Sequence, residues 1–96
     1  NADWTKEKGF YQILTDQPGA ASWPITAATF ILMAKQPNDV AASTEALKFF
    51  DWSFANGGKA AEALDYIPMP DNVIGMIRKA WANEIRTAEG KPVWTK

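Results

Sequence analysis

The sequence predicts an α/β chain that is mostly helical, with one buried strand. Three observations carry that expectation. Ile25–Ala34 is the one run of strand length whose later residues are apolar on both alternating faces. Two longer stretches, near 40–56 and 71–86, repeat apolar residues at helical spacing. No second strand is in evidence, and unpaired buried backbone groups cost about 1–3 kcal/mol each, so the strand must find its ladder partners outside these residues.

Residues 1–22 place Trp4, Phe10, Tyr11, Ile13 and Leu14 among polar neighbours, with Gly9 interrupting any long helix. Short turns are expected there. Asp16, Gln17, Pro18 and Gly19 form a turn cluster, since Pro presets φ and Gly tolerates positive φ. Beyond Trp23 and Pro24, the run from Ile25 to Ala34 carries Thr26 and Thr29 near its start and five consecutive apolar residues at its end. This pattern is expected of a central strand covered by helices on both sides.

Pro37 ends the strand, and Asn38 or Asp39 can cap a helix reaching about Asn56. Val40, Leu47, Phe50 and Phe54 recur on one face, Phe49 widens the stripe, and Glu45, Lys48 and Asp51 point elsewhere. Gly57 suits the left-handed position after the last turn. Lys59–Leu64 reads as a short second helix, or as the same helix continued through a kink. Tyr66–Pro70 is a proline-punctuated connection. From Asp71 to about Arg86 the apolar series is Val73, Ile74, Ile77, Ala80, Trp81 and Ile85, with Asn72, Arg78, Lys79 and Asn83 opposite. Asp71 and Arg86 complement the helix dipole at its two ends. Gly90–Trp94 is expected to be a turn and a short extended tail.

Composition excludes several classes of function. Ten basic and eleven acidic side chains give a net charge of −1, without the basic excess that nucleic acid or an anionic membrane surface requires. With no Cys and no His, thiolate chemistry, the usual general base and the commonest metal ligand are all missing. The longest apolar stretch, Ala27–Ala34 interrupted by Thr29, falls well short of the roughly 20 residues of a spanning helix. The chain begins at Asn1 without Met and without a leader pattern, which reads as processing or as a cut from a longer polypeptide.

Each candidate motif has a simpler structural reading. Gly57 and Gly58 before Lys59 lack the spacing of a phosphate loop and read as a helix terminator. Glu62 and Asp65 are three apart, but nothing apolar is placed to raise either pKa, so they read as solvated surface. Thr26 and Thr29 have no base beside them to make a nucleophile. Trp52 and Trp81 sit among apolar helix residues and read as packing, whereas Trp23 and Trp94 are placed for exposure to solvent.

Several of these segments also carry a family resemblance. Ser22–Thr26 with the Thr29–Leu32 run, Ala46–Trp52, Ala63–Tyr66 leading through Pro70 to the Val73–Trp81 helix, and Gly90–Pro92 together resemble the C-terminal end of periplasmic phosphate-binding proteins, the soluble receptors of phosphate ABC importers. The resemblance spans essentially all 96 residues, in order. It implies a fragment of a two-lobed periplasmic binding protein fold. Residues 1–22 would be the tail of the second lobe, 23–35 a strand crossing between lobes, and 36–96 the helical part of an incomplete first lobe.

On that resemblance Trp23, Pro24, Ile25 and Thr26 form the hinge, and Leu47, Phe50, Phe54, Ile77 and Trp81 the packing face. The family's cleft groups, namely hydroxyls, helix-start donors, an Arg and an Asp, have no counterpart here, so no ligand-binding, catalytic or metal residue and no cofactor is carried over. The implied partners are the missing N-terminal portion of the receptor, the membrane permease of the importer and, through the full receptor, inorganic phosphate. The implied location is the periplasm. An alternative is a self-associating piece with no ligand of its own, pairing strands between copies. A hydrolase of phosphate esters lacks the side chains it would need.

Overall fold

The computed structural model describes residues 3–96, so the first two residues of the expected 1–22 segment lie outside the described residues. The chain divides into two units, one ending at Leu32 and the other running Met33–Lys96.

Turn chemistry organises the first unit. The Asp3 carboxylate accepts from the Thr5 backbone N–H at 3.0 Å and from the Thr5 hydroxyl at 2.5 Å, and the Asp3 carbonyl accepts from Gln12 Nε2 at 2.8 Å. A single 3₁₀ turn, Lys8–Phe10, follows, and Gly9 allows its positive φ of 68°. The turn expected at Asp16–Gly19 forms. Gly19 sits at φ 127°, the Ser22 N–H donates to Gly19 O at 3.1 Å, and the Ser22 hydroxyl donates to Pro18 O at 3.1 Å. The Asp16 N–H closes the loop on Pro24 O at 3.0 Å.

The buried strand expected at Ile25–Ala34 does not form among the described residues. No ladder forms anywhere along these residues, and Ile25 and Leu32 are 90% and 93% exposed. The reason is the one that made the run informative: a strand needs a neighbour, and the described residues supply none.

Helices build the second unit. Asp39 caps α1, Val40–Asn56, by accepting from the Ala42 N–H at 2.9 Å. Leu47 on α1 is fully buried. Gly57 is not left-handed as expected; its φ is −85°. Glycine is needed there because a Cβ would stand 2.6 Å from the carbonyl oxygen of Ser53, one turn back in α1. The short second helix is separate: α2, Gly58–Ala63, ends with Asp65 at φ 63°. The Tyr66 N–H reaches Ala61 O at 2.9 Å and the Asp65 N–H reaches Glu62 O at 3.0 Å, the bond pair of a Schellman cap.

α3, Asp71–Glu84, buries Val73 and Ile74 and stops two residues before the expected Arg86. The chain then bends into a small hairpin in which Arg86 bridges Pro92 in antiparallel fashion. The Val93 N–H donates to Ile85 O at 3.0 Å, and the Thr87 N–H to Lys91 O at 2.8 Å. Gly90 makes the reversal at φ 80°. On its other side the Arg86 N–H donates to Lys35 O at 2.7 Å, so residues just after Met33 are tied to the hairpin.

That hairpin turns Val93 and Trp94 inward. They join Leu47 and Ile85 in a core against which Met33, Trp81 and Ala82 pack. Trp94, expected to be exposed, is only 3% exposed. Trp52, expected to pack, is 61% exposed, because it lies on the side of α1 away from Leu47.

Candidate functional site

The hinge candidates lie in the first unit, and all four are exposed. Trp23 is 81% exposed, Pro24 lends its carbonyl to Asp16, and the Thr26 hydroxyl donates to Trp23 O at 3.4 Å. Local hydrogen bonds hold this segment, with no packed side chain among them.

The packing candidates lie in the second unit, at different depths. Leu47 is fully buried, and Phe50, Phe54, Ile77 and Trp81 are half-buried. Phe54 stacks on Trp81 with centroids 6.1 Å apart, and Trp81 meets Trp94 edge to face at 5.3 Å. Phe50 instead has its ring against the exposed Phe49 at 5.6 Å. Sequence reasoning left Val93 and Trp94 out of this set. Both lie in a tail with no helical period, and only the Gly90 turn followed by apolar residues hinted at a return to the core.

An ion pair links α1 and α3: Arg78 Nε donates to Asp51 Oδ1 at 2.6 Å, with Asp51 the more buried partner. Helical spacing in the sequence puts both residues on faces opposite the apolar stripes. A contact across 27 positions leaves no local signal in sequence. At the end of α3, Arg86 Nε donates to Asn83 O at 2.9 Å, satisfying one of the carbonyls that a helix C-terminus leaves open.

The remaining geometry offers little chemistry. A shallow apolar recess of about 290 Å³ is lined by Ser53, Phe54, Gly57, Gly58, Pro68 and Ile74, among others. It is not an anion nest, because the Gly57 N–H is already donated to Ser53 O at 2.7 Å. A more open depression of about 370 Å³ lies among Lys6, Glu7, Tyr11, Gln12 and Ile13.

Two exposed carboxyls titrate below their ordinary values. Asp3 is lowered by the side-chain and backbone hydrogen bonds from Thr5. Glu89 is lowered by its own backbone N–H and then by the Thr87 hydroxyl. Among the described residues no cluster of acidic, His or Cys side chains could hold a metal ion, and no helix is long and apolar enough to cross a membrane.

No family model matches the chain. Relatives do. Over 86 residues, 90% of this chain, it is 48% identical to phosphate-binding protein PstS of Xylella fastidiosa strain 9a5c. Over 94 residues, 98% of the chain, it is 42% identical to the protein of the same name from Pasteurella multocida, and over 86 residues 42% identical to that of Haemophilus influenzae.

The chain is related to the phosphate-binding proteins.

It spans about a quarter of their length: 24% of the Xylella protein, 27% of the Pasteurella protein and 26% of the Haemophilus protein. The resemblance drawn from the tryptophan, proline and aromatic segments is thus to the right proteins.

Proposed function

We propose that these residues are the C-terminal segment of a two-lobed periplasmic receptor that binds inorganic phosphate and delivers it to the permease of an ABC importer. Within that receptor the segment is scaffold and hinge and holds no ligand contact. Residues 1–22 end the second lobe, 23–35 cross between lobes as a strand with Trp23–Thr26 as the hinge, and 36–96 supply helices to the first lobe. The protein is a receptor with no cofactor and no reaction of its own.

One observation carries this reading: an uncharged apolar run, Ile25–Leu32, stands in water in a chain whose relatives, named phosphate-binding proteins, are about four times as long. Exposing such a run is unfavourable by roughly 25 cal/mol for each Å² of apolar surface. A sheet contributed by the remaining receptor would cover both faces and pair the free backbone groups.

Calorimetry tests the division of labour. Phosphate titrated into the isolated 96 residues should give no saturable heat, while the full receptor binds. Saturable heat at micromolar phosphate from the isolated residues would overturn the reading.

A further inference from the structure

We draw no further inference here: the strongest candidate, the exposed apolar run from Ile25 to Leu32, already belongs to the receptor reading proposed above, and nothing in the structure shows what else covers it.

Discussion

Residues 3–32 and residues 33–96 are both rich in large apolar side chains, yet they place them differently. The earlier region carries Trp4, Phe10, Tyr11, Ile13, Leu14, Trp23, Ile25, Phe30, Ile31 and Leu32 and buries none of them. The later region buries Leu47, Val73, Ile74, Ile85, Val93 and Trp94. Apolar content is therefore not what separates them. Helices satisfy their own backbone, so they can present a stripe of side chains to a neighbour at no further cost in hydrogen bonds. An extended run must first find a ladder, and until it does its side chains have nothing to pack against.

The largest expected effect tests this contrast directly. Trp94→Ala should cost about 3–5 kcal/mol in urea unfolding, because it empties a packed core position, whereas Trp23→Ala should stay within about 0.5 kcal/mol. Equal losses would mean that the first region packs in a way its exposure does not reveal.

Next in size are two contacts that hold the helical region. Removing the cap with Asp39→Ala should lower stability by about 1 kcal/mol, with Asp39→Asn retaining most of it. A double-mutant cycle on Asp51→Asn and Arg78→Gln should return a coupling of about 1 kcal/mol or less, shrinking as salt is raised, since the pair is only partly buried. A coupling insensitive to salt would place the pair deeper than the structure does.

The smallest effect is a pH dependence. Glu89 has a folded pKa below its ordinary value, so the hydrogen bonds to its carboxylate contribute stability above that ordinary value and lose it as pH falls through the depressed one. NMR titration should find the Glu89 midpoint low and should find it raised in Thr87→Ala. A midpoint unmoved by that substitution would leave the backbone N–H as the sole cause.

Local chemistry was readable where it acted over a few residues. The Asp39 cap, the Pro18–Gly19 turn and the start of α3 after Pro70 each depend on side chains adjacent to the backbone they direct. Misreadings arose at one helix end and where distant residues decide. At Gly57 the habit of helix ends suggests a positive φ, but the approach of the Ser53 carbonyl, one turn back, is what requires glycine there, and Asp65 takes a left-handed position instead. Helical periodicity marks Leu47, Phe54 and Trp81 as apolar positions on their own helices, but says nothing of the Phe54–Trp81 stack or of Trp94, which arrives by a hairpin.

By itself, then, the order of residues determined which segments are helical, where they start, and that Ile25–Leu32 calls for neighbours it does not bring. Only the tertiary structure decided which tryptophan goes inside, that Asp51 meets Arg78, and that the chain folds back after α3 at Gly90. The physical reason is range. Caps, turns and helical stripes are set by interactions within a few positions, whereas burial and ion pairing depend on which surfaces the folded helices bring together.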